Sequence, residues 1–412
     1  MIYLDNAATT RTAPEVVEAM LPYFTEYYGN AGSIYRLGND SRKAVIEAKR
    51  TIAATLGAQP NEIYFTAGGT EADNWALKAV FEAYREKGCH IITSKIEHHA
   101  ILHTCEYLEK QGARITYLDV DEEGIVNMEQ LKAAIREDTI LISVMYANNE
   151  TGTIQPIREI GEIAAAHGIL FHTDAVQAYG QIPIHAGDCH IDLLSASGHK
   201  FHGPKGVGFL YISQRVKLGS FMHGGQQERG RRAGTENVPG IVGLAAAVRR
   251  CYAVPGETRG DGISKRDSAA AEVRTGQAAC ALTPDRQQAC ERVRKLRDDL
   301  IGRIEQAIPG AKLNGHRTKR LPGNVNFSFE GVNGESVLIM LDMQGICASS
   351  GSACTSGSLD PSHVLLAMGV SPDLARGSLR MTLGEENTEE ELDIVVDELV
   401  KSVHRIRDLA QG

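Results

Sequence analysis

The sequence has no long apolar run, few aromatic residues and no excess of basic residues. Only 6% of its 412 residues are aromatic, with a single tryptophan, and no apolar stretch approaches the length of a membrane span. The formal net charge of -9 is unfavourable for nucleic-acid binding, which draws on clustered lysine and arginine. The only dense basic run, "QERGRRAG", is short. We therefore expect neither a membrane protein nor a direct nucleic-acid binder.

The cysteines lack the spacing of a zinc ribbon or a disulfide framework. All eight are scattered without a CxxC pair, at positions 89, 105, 189, 251, 280, 290, 347 and 354. The first residues, "MIYLDNAATTRTAPEVV", reach the acid Asp5 at once, so we expect no secretory signal there. These features predict a cytoplasmic protein with reduced thiols. Its 42% hydrophobic and 23% charged content is typical of a soluble globular protein.

Helix-like and strand-like runs alternate from residue 39 to about 260. Short apolar runs such as "EIYFTA", "HIITS", "ILFHTDA" and "IDLLSAS" predict strands, and segments such as "TEADNWALKAVFEAYREKG" predict helices between them. This alternation predicts an α/β fold in which helices flank a mostly parallel sheet. Ligands of such folds gather where strands end and loops begin.

The pattern changes along the chain and suggests four parts. We expect the N-terminal segment, 1–15, to join the smaller domain and the active site, and residues 16–253 to form a large domain. Residues 254–287 are rich in Gly, Ser, Arg and Asp without a sustained period, which predicts a surface insertion or a disordered segment. The remaining residues, 288–412, alternate again and predict a smaller α/β domain.

Cys354 lies in the stretch "SSGSACTSGS", residues 349–358, where its neighbours are small or polar. A structural cysteine usually has apolar neighbours, so this composition indicates an exposed thiol on a segment that can move. A plain surface loop with an incidental cysteine has the same composition. This stretch alone leaves both interpretations open.

The segment "FTAGGTEADNWAL" predicts a strand, a glycine turn and the start of a helix. Gly68 and Gly69 would let the backbone approach a ligand closely, and Thr70 would cap a helix whose free N–H groups attract an anion. A phosphate fits this place. Thr70 and Asp73 also resemble a capping box, however, which needs no ligand.

A second pair of motifs is more specific. Asp174 ends the strand-like run in "ILFHTDAVQ", and Lys200 follows the next strand in "SASGHKFHGPKG". A carboxylate there can meet a ligand nitrogen, and a partly desolvated lysine can form a Schiff base with an aldehyde. With a phosphate at a helix N-terminus, these features describe a site for pyridoxal 5'-phosphate. Taken singly, Asp174 is compatible with a helix cap and Lys200 with a solvated loop residue.

The stretch "EHHAILH" offers a rival hypothesis. His99 and His103 have the i, i+4 spacing of a helical zinc pair, but Glu97 precedes the pair instead of lying inside it, as HExxH sites require. A metallohydrolase is therefore a minor alternative. We favour a site without metal, in which His98 stacks on a flat cofactor.

The ordered motifs of the chain resemble those of the cysteine desulfurases of the NifS and IscS type, which are aminotransferase class V-like enzymes of pyridoxal-phosphate fold type I. The resemblance covers nearly the whole chain except the insertion, and implies that residues 16–253 bind the cofactor. It rests on "YLDNAATT", "GGTEADN", "EHHA", "ANNETG", "HTDAVQ", "SGHKFHGPKG", "RAGTEN", "SSGSACTSGSLDPSHVL" and "SLRMTLG".

The resemblance implies a role for each matching residue. Lys200 would bond to the cofactor and move protons, Asp174 would keep the ring nitrogen protonated, and His98 would stack on the ring and assist proton transfer. Cys354 would accept the sulfur as a persulfide, and Arg380 would bind the substrate carboxylate. The other residues that it assigns to cofactor or substrate are Asn6, Gly69, Thr70, Asn149, Gln177, Ser197, His199 and Thr235, the last reaching across from a second subunit.

The implied activity converts L-cysteine to L-alanine and carries the sulfur on a mobile loop to an acceptor protein. It implies a homodimer and an iron–sulfur scaffold or another sulfur acceptor as partner; general iron–sulfur assembly, nitrogenase maturation and tRNA thiolation all remain open. The alternative is another pyridoxal-phosphate-dependent lyase or aminotransferase, which would tolerate loss of Cys354. Arg376, close to Arg380 in sequence, is either its helper or a surface charge.

Overall fold

A seven-stranded sheet forms the centre of the larger part of the molecule. The computed structural model describes residues 1–254, 280–350 and 360–411. The strand order is β2-β8-β7-β6-β5-β3-β4, and every neighbouring pair is parallel except the two that include β8. This confirms the predicted mostly parallel sheet. The strands are β2 (Ile63–Thr66), β3 (His90–Ser94), β4 (Arg114–Leu118), β5 (Thr139–Ser143), β6 (Leu170–Asp174), β7 (Leu193–Ser197) and β8 (Gly208–Ile212).

Helices cover both faces of this sheet. One hydrophobic cluster joins the sheet to α3 and α8 through residues such as Ile52 and Leu244, and a second joins it to α4 and α5 through Trp75 and Ile101. Strands buried on both faces explain the near-continuous apolar runs in the sequence. The helices of this part are α1 (Pro14–Met20), α2 (Pro22–Thr25), α3 (Arg36–Leu56), α4 (Gly69–Tyr84), α5 (His99–Glu109), α6 (Met128–Ala134), α7 (Ile157–Ala166) and α8 (Val238–Cys251).

A smaller antiparallel sheet, of order β12-β10-β9, lies under α9, α10 and α13. The N-terminal strand β1 pairs in parallel with β11, and Ile2 of this strand and the following Leu4 pack into the core of this smaller sheet. The elements here are β1 (Ile2–Tyr3), β9 (Ala311–Leu313), β10 (Asn324–Phe329), β11 (Ile346–Cys347), β12 (Ser378–Thr382), α9 (Pro284–Ala307), α10 (Gly334–Met343), α11 (His363–Ala367), α12 (Pro372–Arg376) and α13 (Glu389–Gln411).

The predicted surface insertion, 254–287, lies mostly outside the described residues, and its described end corrects the prediction. Residues 280–287 are only partly at the surface: Cys280 and Leu282 are buried, Pro284 and Gln287 are exposed, and α9 already begins at Pro284. Tyr252 and Leu282 form an antiparallel bridge, so the two chain ends that flank the undescribed residues lie side by side. The mixed composition concealed this boundary because few apolar residues mark the helix start.

Three loops that carry predicted site residues leave the same edge of the large sheet. They follow β2, β6 and β7, whose carboxyl ends share one edge because these strands run in the same direction. This edge is the expected place for a ligand. Within the ranges that the structure covers, no helix is long and apolar enough to cross a membrane.

Candidate active site

The N-terminus of α4 opens toward the sheet edge. Gly68 is the residue before the helix, with φ +149°, and no side chain caps the free N–H groups of the first turn. The prediction that Thr70 caps this helix is wrong, since the helix begins at Gly69 and Thr70 lies within its first turn. Uncapped N–H groups and the positive end of the helix dipole can bind a phosphate.

Four of the predicted cofactor-binding residues border one cavity of about 810 Å³: Gly69, Thr70, Ser197 and His199. Gly69 is required there because a Cβ at its position would lie 2.5 Å from Cγ2 of Val176. His199 lies beside Thr9, with 3.2 Å between Nδ1 and Oγ1, and burial lowers the pKa of His199 to about 4. The cavity is lined by Thr9, Ala67, Gly68, Gly69, Thr70, Glu71, Asn74, Ser197, His199, Lys205, Gly206, Phe221 and Met222.

Asp174 ends β6 and is buried. Its Oδ1 accepts a hydrogen bond of 2.8 Å from the N–H of Val176. Burial raises the pKa of Asp174 to about 6, while the Val176 N–H and the charge of Lys200 act in the opposite direction. A cationic ring nitrogen placed against this carboxylate would relieve the cost of its burial.

Lys200 lies in the short turn after β7 and reaches the N-terminal segment. Its Nζ donates to the carbonyl oxygens of Ala7 and Ala8, at 2.6 and 2.7 Å. The carbonyl of Ala7 also accepts from Nε2 of the buried Gln177, at 3.0 Å. The lysine is thus directed by backbone carbonyls and lies near enough to Asp174 and His98 to influence the pKa of each.

His98 precedes α5 and has a defined protonation state. Its Nδ1 accepts a hydrogen bond of 3.1 Å from the N–H of Ala100, which places the ring proton on Nε2. Burial, and then the charge of Lys200, lowers the pKa of His98 to about 4. The imidazole is therefore neutral near pH 7.

Arg380 lies on β12 and is 3% exposed. Its Nη2 donates to Oδ1 of Asp5 at 2.9 Å, and its Nη1 donates to the carbonyl of Asn149 at 3.1 Å. Nε is buried and has no hydrogen-bond partner in the described ranges. Arg376, in contrast, is half-exposed and pairs with Asp373 on α12, which makes it a surface charge.

Two further predicted residues lie in different surroundings. Asn6 joins the site edge, because its Nδ2 donates to the carbonyl of Thr382 at 2.9 Å. Thr235 is exposed and lines a neighbouring cavity, which borders the first one at Ala67 and Gly206. The structure therefore does not bring Thr235 into the 810 Å³ cavity of the same chain. Cys354 lies outside the described residues.

Sequence reasoning missed a group of buried polar side chains behind Asp174. His172, two residues earlier on β6, binds the hydroxyls of Ser143 and Ser195. Asp73 and Glu97 are buried nearby, and each has one carboxyl oxygen that makes no hydrogen bond in the described part of the chain. Both were visible as acids in apolar surroundings, but Asp73 was interpreted only as a capping residue.

The polar groups around the sheet edge fit pyridoxal phosphate. The uncapped α4 terminus suits its phosphate, Asp174 suits its ring nitrogen, and Lys200 suits its aldehyde. The rings of His99 and His103 stack with their centroids 4.9 Å apart, and in the ranges described no group of three or more His, Cys, Asp or Glu could hold a metal ion.

Comparisons with known proteins point the same way. The family model "Aminotransferase class-V" matches residues 2–258 and 273–395. The chain is 52% identical over 409 residues to a cysteine desulfurase IscS of Methanosarcina thermophila, covering 99% of this chain and 93% of that protein. It is 51% identical over 411 residues to a cysteine desulfurase IscS of Clostridium botulinum, covering 99% and 96%.

Solved structures agree with these relatives. A NifS-like protein superimposes with a TM-score of 0.85 at 36% identity, covering 98% of this chain and 99% of that one. A structure described as SspA in complex with cysteine gives a TM-score of 0.76 at 34% identity, covering 94% and 100%. The fold, the full-length matches and the convergence of Lys200, Asp174 and the α4 terminus lead to one conclusion: the chain belongs to the cysteine desulfurases of the aminotransferase class-V family.

Proposed function

We propose that this protein removes the sulfur of L-cysteine, releases L-alanine and passes the sulfur from Cys354 to an acceptor protein. One observation carries the proposal: the segment 5–8 contacts both of the predicted functional cations. Asp5 pairs with Arg380, and the carbonyls of Ala7 and Ala8 bind Lys200. Residues 5–8 form a turn in which the N–H of Ala8 donates to the carbonyl of Asp5 at 3.0 Å, and the ends of such a turn lie within about 7 Å of each other. One short segment therefore contacts both cations, as the amine and the carboxylate of a single amino acid require.

Each residue has a proposed task. Bound pyridoxal phosphate, held by the α4 terminus, Ser197, His199 and a second subunit's Thr235, supplies an electron sink next to the substrate amine. Asp174 retains the negative charge that faces the ring nitrogen, and Gln177 binds beside it. Lys200 takes a proton from the substrate α-carbon and returns protons to the product.

Sulfur release is proposed to use two more groups. The Cys354 thiolate attacks the substrate sulfur, the carbon–sulfur bond breaks, and its electron pair remains on the substrate carbon, which is then protonated. Neutral His98, which carries its proton on Nε2, supplies a proton to this substrate carbon. Asn149 and Asn6 line the part of the site near Arg380, where the substrate carboxylate binds. The outer sulfur of the persulfide then passes to a thiolate of an iron–sulfur scaffold or another acceptor in the cytoplasm, and the Cys354 thiolate is released as the leaving group.

The proposed assembly is a homodimer. It is supported by Thr235, which is exposed and outside the main cavity of its own chain although it lies in the motif "RAGTEN". The alternative of an aminotransferase or other lyase is not favoured, because the relatives at 52% and 51% identity are cysteine desulfurases.

The decisive experiment compares the purified protein with its Cys354→Ala variant. We expect the parent to release L-alanine from L-cysteine in the presence of a reductant. The variant should bind the cofactor with unchanged absorbance and lose nearly all activity. Cys347→Ala is the matched control, since Cys347 is half-buried in β11, and it should retain activity. Full activity in the Cys354 variant would refute the sulfur-carrier role.

A further inference from the structure

The Arg380 guanidinium already holds a carboxylate of its own chain. The 2.9 Å contact between Nη2 and Asp5 is an ion pair in which the arginine side chain is 4% exposed and the aspartate side chain 21% exposed. A buried guanidinium without a counter-ion is costly, so Asp5 stabilises the ligand-free protein.

An incoming carboxylate finds few free donors on Arg380. Nε is enclosed by the protein, so a two-pronged contact has to use the ends Nη1 and Nη2. Nη1 already donates to the carbonyl of Asn149, and Nη2 to Asp5. A substrate carboxylate therefore has to displace one acceptor or share a buried site with it.

The two acceptors differ in their freedom to move. The Asn149 carbonyl belongs to a turn fixed by buried Asn148, whose Oδ1 accepts from the N–H groups of Glu150 and Thr151, each at 2.9 Å. The Asn148 side chain also donates to the carbonyl of Ile96. Within the described residues, the Asp5 carboxylate accepts one hydrogen bond, from Arg380, and it is partly solvated, so it is the acceptor that can leave.

Electrostatics favour departure over sharing. Two carboxylates on one guanidinium would leave a net negative charge in a site with little solvent, and like charges at contact distance repel strongly. A neutral ligand end has no such conflict and gains nothing by replacing Asp5.

We propose that Asp5 competes with the α-carboxylate of the substrate for Arg380 and leaves the guanidinium when the substrate binds. Asp5 thereby lowers the affinity of the site for the substrate. It also disfavours ligands without a carboxylate, because they cannot replace its ion pair with Arg380. This inference rests on the proposed function, in which Arg380 binds that carboxylate.

The test measures kcat and KM for L-cysteine with the holoenzyme and its Asp5→Asn variant. Removing the competing charge should lower KM about tenfold, the equivalent of about 1.4 kcal/mol, with kcat within about twofold of the parent. Asp5→Ser, a second neutral variant, should shift KM in the same direction. Asp373→Asn removes the carboxylate of the exposed pair with Arg376 and should leave KM unchanged.

A binding experiment separates failure of this inference from failure of the proposed function. L-alanine and L-alaninamide differ in charge at the carboxyl end alone, and their binding to the holoenzyme can be measured by calorimetry without turnover. Asp5→Asn should increase the affinity for L-alanine about tenfold and leave the affinity for L-alaninamide unchanged. Without ligand, the melting temperature of the Asp5→Asn variant should be lower than that of the parent. Added L-alanine should restore the melting temperature.

The outcomes divide clearly. A higher KM, a lower kcat or weaker L-alanine binding in Asp5→Asn would show that Asp5 holds Arg380 in place, and unchanged values would show that it does not compete. Either result overturns the inference. If the parent releases no alanine from cysteine but L-alanine binding responds to Asp5 as expected, the proposed function fails while the competition at Arg380 stands.

Discussion

Asp73 on α4 and His172 on β6 face each other behind the active site, with 3.8 Å between Asp73 Oδ1 and His172 Nε2. Both side chains are buried. Burial lowers the pKa of His172 to about 3, so this ring is neutral and bridges the hydroxyls of Ser143 and Ser195. Burial, with the charge of Asp174, raises the pKa of Asp73 well above its usual value. Burial therefore favours the neutral form of both side chains behind Asp174.

This arrangement predicts that Asp73→Asn and Asp174→Asn differ sharply. Because burial favours the neutral form of Asp73, the amide of similar shape in the first variant should change the free energy of unfolding by less than about 1 kcal/mol. The second removes the charge opposite the ring nitrogen and should cause loss of pyridoxal phosphate on dialysis. Absorbance of the dialysed proteins and denaturant unfolding would check this. Equal cofactor loss in both variants would contradict it.

Glu97 predicts a specific pH dependence of stability. Burial raises the pKa of Glu97 from 4.5 to about 8, so between these values the folded state binds more protons than the unfolded state. Stability contributed by this group is complete below pH 4.5 and is lost as the pH rises toward 8, at up to about 1.4 kcal/mol per pH unit.

Glu97→Gln should remove that loss. The variant should match the parent near pH 5 and exceed its free energy of unfolding at pH 8, as measured by urea denaturation across this range. Glu86→Gln, on a surface turn after α4, is the control and should follow the parent. Parallel curves for the parent and Glu97→Gln would exclude a protonated Glu97.

His98 variants should separate its ring face from its hydrogen bond. His98→Asn keeps an acceptor for the Ala100 N–H but loses the flat face, whereas His98→Phe keeps the face and loses the cap, at a cost of about 1 kcal/mol in stability. If the ring stacks on the cofactor, His98→Phe should retain more cofactor than His98→Asn. If it also supplies a proton, His98→Phe should still lose kcat. Full kcat in His98→Phe would exclude the proton-transfer role.

The proposed second subunit predicts complementation. Light scattering should report two chains per particle. A mixed dimer of a Lys200→Ala chain and a Thr235→Glu chain has one intact site if Thr235 serves its partner, because that site combines the native Lys200 of one chain with the native Thr235 of the other. We expect about half of the parent activity from purified mixed dimers. Activity no higher than in the Thr235→Glu homodimer would place Thr235 in its own subunit's site.

Much of the fold followed from local patterns. The apolar runs before Asp174 and Lys200 identified β6 and β7 because strands buried on both faces leave continuous hydrophobic stretches. The start of α4 was misplaced, since glycine at the cap left no side-chain signal, and α9 began earlier than predicted. Helix ends depend on a few terminal contacts, which composition records poorly.

The sequence by itself determined the fold class, the family and the residue types of the site, because short motifs specify local backbone and chemistry. Only the tertiary structure decided which distant groups meet: Asp5 on Arg380, Ala7 on Lys200, and Asp73 beside His172. Those pairs are separated by roughly a hundred residues or more. Their contact depends on strand order and on the burial of each polar group, which no local pattern encodes.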